Sequence, residues 1–302
     1  MGLTCTMHYN CTLLSDLHKG ALLILLSELA LVLTGVMIHE LVKQVPIEVL
    51  VLARNAIGLS FFVPWLLRNG RRSIATAQLP LHLVRSLVGI VAMYCLFYSW
   101  AHLPLAQAAL LKQTAPLFIP IVGFIWLKER ITGWTVIAIL VGFIGIWVVL
   151  NPEGHTQVPW VALLAIFGAL LGATAKVVVR KLTLTESSIL IVFYLSLFNT
   201  LFSLIPALLA WDTPSLWLLM GMVLMAGFAT LAQLLLSKGY RYAAAGELGS
   251  FTYGSVIFAG LLGWFLWDEL ITFGAMFGMA LVVVSGVIVV LGSIREHVSR
   301  KS

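Results

Sequence analysis

Charge is what this chain has least of. Of its 302 residues only 10% are Asp, Glu, Lys or Arg, where a soluble domain has about a quarter; 61% are hydrophobic, and the mean hydropathy is +1.05. A water-soluble fold of this length has too little interior to hide so much apolar surface. Cysteine is also scarce. Cys5, Cys11 and Cys95 offer no spacing for a disulfide framework or a metal site, so neither metal nor cofactor is expected. A phosphate-cradling GxxxxGK[ST] loop is missing and no polar segment is long enough to house an ATPase domain, which excludes direct drive by a nucleotide. Catalytic groupings are missing too: the nearest to an acid/His cluster is the adjacent pair His39-Glu40 at a helix end. No catalytic residue is assigned, and an integral-membrane enzyme acting on lipid-linked substrates survives only as an alternative reading.

What fills the chain instead is a series of apolar runs, each near the ~20 residues that a spanning helix needs. They lie at about 21–42, 46–67, 82–103, 104–127, 131–150, 158–180, 187–210, 214–240, 243–267 and 271–291. Continuous runs without alternation predict helices, not a barrel. The sparse cations orient the series. With the N-terminus in the cytoplasm, thirteen Lys and Arg between spans fall on the cytoplasmic side and only Lys43 falls outside. The expectation is therefore both termini inside. The net charge of +6 then reports topology, and its scatter over short segments excludes a nucleic-acid patch. The polar stretch Met1–Gly20 lacks a signal peptide's basic start and cleavage site, so the first run reads as a retained helix. Met1-Gly2-Leu3-Thr4-Cys5-Thr6 fits the spacing of a myristoylation motif, which only eukaryotic enzymes would use.

The chain also repeats itself. Leu127-Lys128-Glu129-Arg130-Ile131-Thr132 returns as Trp267-Asp268-Glu269-Leu270-Ile271-Thr272 at an offset of 140, at which Gln107 meets Glu247 and Gln113 meets Tyr253. Each copy holds five predicted helices, an odd number, so the second must enter the membrane from the opposite side. The expected fold is an all-α integral membrane protein: ten transmembrane helices as two inverted five-helix repeats around a central cavity. Its parts are a cytoplasmic tail (1–18), a first repeat (19–150), a second repeat (151–292) and a cytoplasmic tail (293–302).

The run Tyr98-Ser99-Trp100-Ala101-His102-Leu103-Pro104-Leu105-Ala106-Gln107-Ala108-Ala109-Leu110, followed by Pro116, Lys128-Glu129-Arg130, Gly142 and Gly145, resembles EamA-type carriers of the drug/metabolite transporter superfamily. The resemblance covers nearly the whole chain. It implies a bacterial inner-membrane carrier, an exporter of an amino acid or other zwitterion or cation by alternating access, with proton coupling as an option. An importer of a nucleoside-like metabolite such as S-adenosylmethionine is the alternative. It further implies a cavity lined mainly by helices 1, 3, 4, 6, 8 and 9, with 5 and 10 peripheral. Where the family repeats a proline in its ninth helix, this chain has Val256. The expected partners are a small-molecule substrate and membrane lipid, the protein acting as monomer or homodimer.

Charges at membrane depth are costly and mark functional candidates. Glu28, Arg54 and Lys112 each lie ~12–13 Å into their runs at ~1.5 Å per residue. Glu28 reads either as a proton- or cation-binding group or as a buried partner of Arg54; small multidrug-resistance carriers of the same superfamily use a first-helix glutamate for proton-coupled export. Arg54 reads as a structural charge, its helix being absent from the implied walls. Pro116 cannot donate to the carbonyl of Lys112, nor Pro120 to that of Pro116, so a bend there would bare polar backbone beside Lys112. Gly168, Gly172 and Lys176 share one helix stripe; Arg85, Lys176 and Glu247 fall nearer the cytoplasmic surface, and the last two read as snorkelling or capping charges, with gating as the functional rival. Tyr94, Tyr98, Gln113, Gln233 and Tyr253 complete the substrate-binding candidates, while Trp100 reads as an interface anchor.

Overall fold

A computed structural model describes residues 2–112, 114–127, 133–150, 160–242, 248, 251–252, 254–268, 273–274, 276–281, 283–285 and 287–288. Its elements are helical: α1 (Gly2–Leu41), α2 (Ile47–Ser60), α3 (Val63–Asn69), a 3-10 turn (Arg71–Ile74), α4 (Leu79–His102), α5 (Leu105–Lys112), α6 (Ala115–Leu127), α7 (Gly133–Leu150), α8 (Trp160–Leu182), α9 (Ser188–Leu209), α10 (Leu216–Tyr242) and α11 (Gly254–Trp267). Among the described residues six stretches are long and apolar enough to span a bilayer: His18–Leu41, Ile47–Asn69, Leu79–His102, Trp160–Leu182, Ser188–Leu209 and Leu216–Tyr242. The chain is a multi-pass membrane protein.

The backbone of α1 runs unbroken from Gly2, and the apolar span within it starts at His18. Two of the expected segments are divided, each for a local cause. The second span is α2 joined to α3. Pro64 has no N–H to give the carbonyl of Ser60, and the helix is interrupted just before it, at Phe61–Phe62. The fourth is likewise two pieces, α5 and α6, with Pro116 in the first turn of α6, where its missing donor costs nothing.

Packing runs between the halves more than within them. α1 lies along α10, α4 along α8 and α2 along α9, while α5 meets both α8 and α11. Small and polar residues make these contacts, as expected where lipid removes the hydrophobic drive between helices. Ser27 Oγ donates to the Ala232 carbonyl at 2.8 Å, tying α1 to α10, and a Cβ on Gly58 would stand 2.8 Å from Thr230 Oγ1, so α2 and α10 touch closely there. Gly142 brings α7 against Leu117 of α6. Buried hydroxyls turn back on their own helix, Thr34 to Ala30, Ser99 to Cys95 and Ser203 to Asn199, which satisfies them without water. Large apolar side chains such as Leu209, Trp217 and Phe265 face outward, the surface that lipid would cover.

Candidate functional site

The helices enclose a central cavity of about 150 Å³, to which both halves contribute. Among the described residues five charged side chains reach it: Glu28 from α1, Arg54 from α2, Arg85 from α4, Lys112 from the end of α5 and Lys176 from α8. Gln233 of α10 adds an amide. Most of the remaining wall is apolar, including Leu31, Leu96, Phe97 and Trp100.

Glu28 is 1% exposed, and its Oε2 accepts from Lys112 Nζ at 2.5 Å. The sequence had offered Arg54 as its structural partner. The structure pairs it with Lys112, and Arg54 instead donates from Nη1 to Asn55 Oδ1 at 2.6 Å. Asn55 in turn is held by its own donation to the Val51 carbonyl, so the arginine is braced within α2 while its helix contributes to the cavity wall, against the implied lining. Lys176 faces the cavity, within electrostatic reach of Glu28. Gly168 and Gly172, on the same stripe, serve two purposes. A Cβ on Gly168 would lie 2.6 Å from Cys95 Cβ, so it packs α8 on α4, whereas nothing stands within 4 Å of one on Gly172, which opens onto the cavity.

α5 ends at Lys112 and α6 begins at Ala115, with Thr114 in a turn between them. The Lys112 carbonyl is the one that Pro116 cannot serve, and Thr114 closes the turn by donating from Oγ1 to the Leu111 carbonyl at 2.7 Å. A discontinuous helix beside a buried ion pair is the arrangement that carriers use to present backbone polarity and charge at membrane depth.

The other sequence candidates sort unevenly. Gln233 lines the cavity and its Oε1 accepts from Arg85 Nη2 at 3.3 Å. Tyr94 and Tyr98 share a face, but not the one that Arg85, Gly89, Ala92 and Leu96 turn to the cavity; Tyr98 stacks on His102 and packs on Trp160, at ring separations of 4.0 and 5.0 Å. Gln113, Tyr253 and Glu247 lie outside the described residues. Pro116 and Pro120 both fall within the helical backbone of α6.

Two cavity residues escaped the sequence reading. Arg85, read as near the cytoplasmic surface from its place early in the helix, lines the cavity, and its Nη1 would lie 2.5 Å from a Cβ on Gly89, one turn further along α4. The signal was there: a glycine four residues on clears room for a long side chain. Trp100, discounted as an interface anchor, is 1% exposed and lines the cavity, its ring seated against Gly35. Around it the end of α1 is stapled down. His39 Nδ1 lies 3.0 Å from the Trp100 carbonyl, and Trp267 Nε1 donates to Glu40 Oε1 at 2.8 Å.

An apolar exterior around a charged central cavity, walled by helices from both halves of the chain, defines a membrane transporter in which polar solute and lipid are kept apart. Comparison with known sequences names the family. The EamA-like transporter family matches twice, at residues 18–151 and 159–291, and the chain belongs to it. It is similar to the pseudopaline exporter CntI of Pseudomonas aeruginosa, 26% identical over 94% of this chain and 98% of the relative. It is also similar to a riboflavin transporter of Vibrio cholerae, 30% identical over 88% and 91%, and to an S-adenosylmethionine uptake transporter of Rickettsia bellii, 22% identical over 79% and 81%. A protein of known crystal structure shares the fold with a TM-score of 0.65 at 20% identity, covering 93% of this chain and 98% of its own. The relatives are membrane transporters, not enzymes.

Proposed function

We propose that the chain is a secondary transporter that exports a small charged metabolite across the bacterial inner membrane by alternating access. The observation that carries this reading is the Glu28–Lys112 ion pair in a cavity shared between the two halves, beside a helix broken at the same depth. The repeats are residues 19–150 and 151–292, five crossings each and opposite in orientation, ten in all, with the tails 1–18 and 293–302 in the cytoplasm. Support comes from the double family match and from the packing. Replacing each first-half helix by its counterpart turns the pair α1 with α10 into α8 with α4, and α2 with α10 into α9 with α4, while α2 with α9 maps onto itself. A two-fold axis between the halves would produce that exchange.

Lys112 and Gln233 are assigned to the substrate, Glu28 and Lys176 to coupling, and the α5/α6 break with Pro116 and Pro120 to the gate. Uptake stands beside export as a second reading, because relatives named for S-adenosylmethionine uptake match over 79% of the chain. The test is a flux screen in proteoliposomes with and without a pH gradient. Accumulation of a small charged metabolite that collapses when the gradient is dissipated supports coupled transport; no flux of any charged metabolite in either orientation rejects the reading.

A further inference from the structure

Among the described residues that line the cavity, four cations face one acid: Arg54, Arg85, Lys112 and Lys176 against Glu28, an excess of three positive charges. The acid is engaged by Lys112 in direct contact and has Lys176 within reach. Arg54 and Arg85 are 6% and 7% exposed, and neither touches a carboxylate among the described residues. Their recorded partners are the neutral amides of Asn55 and Gln233, and Arg85 Nε is buried with no hydrogen-bond partner. The two guanidinium groups stand within electrostatic reach of each other. Buried like charges left uncompensated are expensive, and a protein that keeps them repays the cost when a counter-charge arrives. A guanidinium fork fits a carboxylate bidentately, which an ammonium does not.

We propose that the substrate is a small organic acid carrying at least two carboxylates on an apolar skeleton, taken by Arg54 and Arg85. The skeleton would lie along Leu31, Leu96 and Phe97. A cationic substrate would meet three excess positive charges, with the one acid among the described lining residues already occupied, an unfavourable like-charge juxtaposition. A neutral amino acid would satisfy only one arginine. This assignment rests on the transport reading for its physiological meaning, but the binding it predicts is tested separately.

The experiment measures affinity of the purified full chain in detergent, at matched ionic strength, for glutarate, adipate, suberate, hexanoate, hexyl phosphate, leucine and 1,6-diaminohexane. The diacids should bind and raise the thermal midpoint, hexanoate more weakly, leucine and the diamine not at all. Arg54→Gln and Arg85→Gln should each weaken the best diacid by about tenfold to a hundredfold, with the Lys variants in between. Should a Gln variant not fold, Gly89→Ala moves the Arg85 guanidinium while keeping its charge, and the same loss of affinity is expected. Absence of diacid binding, preference for the diamine or leucine, tighter binding of hexyl phosphate than of any diacid, or diacid affinity unchanged in the arginine and Gly89 variants would each overturn the assignment. Diacids that bind but are not moved in proteoliposomes leave the anion site standing and remove the transport reading; leucine flux without diacid binding does the reverse.

Discussion

Lys112 Nζ and Glu28 Oε2, 84 residues apart in sequence, meet at 2.5 Å and join the end of α5 to the middle of α1. The relationship redirects the double-mutant cycle that depth alone would suggest, from Glu28 with Arg54 to Glu28 with Lys112. Glu28→Gln should cost about 1–3 kcal/mol, less than the ~3–5 of a sealed pair because Lys112 borders the cavity, and adding Lys112→Gln should return at least half of it. Thermal unfolding of the three variants checks the cycle; additive losses would mean that the contact is not energetically coupled. In liposomes Glu28→Gln should abolish gradient-driven flux while the double variant regains stability and not activity. Wild-type pH-dependent flux in Glu28→Gln rejects the coupling role.

Two glycines should answer oppositely to added bulk. Gly35→Ala puts a methyl 2.8 Å from the Trp100 ring and should destabilise by about 1–3 kcal/mol. Gly172→Leu has open space before it and should leave the melting temperature within a few degrees while blocking transport, because the side chain fills the path. A stable, fully active Gly172→Leu protein would place the path elsewhere.

Replacing Pro116 and Pro120 together by Ala restores two N–H donors and should allow α5 and α6 to fuse. Turnover is expected to fall by more than tenfold with little loss of folded protein, because a straight helix would remove the hinge at Lys112. Unchanged turnover in this double variant means that the break is architectural only.

Met1 and Ser302 should both report from the cytoplasm, and the Asn151–Gln157 turn from the opposite side, since that orientation puts thirteen cations inside and one outside. Reporter fusions at the three positions decide it. A C-terminus on the opposite side from the N-terminus would undo the inverted-repeat reading as well.

That charges within the apolar runs point into the helix bundle was partly legible from the sequence, and which face of each helix looks inward was not. Glu28 and Lys112 stood out because a charge in the middle of an apolar run has few explanations, and both do line the cavity. Their mutual contact was invisible, since it depends on how α1 and α5 are brought together from distant parts of the chain. Residue counting could not show that Arg85 reaches the cavity, because its side chain runs along α4 over Gly89, against the usual N-terminal lean of helical side chains. It failed for Trp100 because a tryptophan at a helix end looks the same whether lipid headgroups or Gly35 lie beyond it. Tyr94 and Tyr98 share a face that turns away from the cavity, and a single helix cannot say which face looks inward. Prolines were more informative than charges about backbone: the interruptions before Pro64 and Pro116 sit where the missing donors put them.

Exposure of one cavity alternately to the two sides of the membrane is tested by labelling Gly172→Cys. With Cys5, Cys11 and Cys95 replaced by Ser, a membrane-impermeant maleimide added from either side of oriented vesicles should reach this position, and bound substrate should slow the reaction from both. Labelling from one side only, unaffected by any transported substrate, would contradict it.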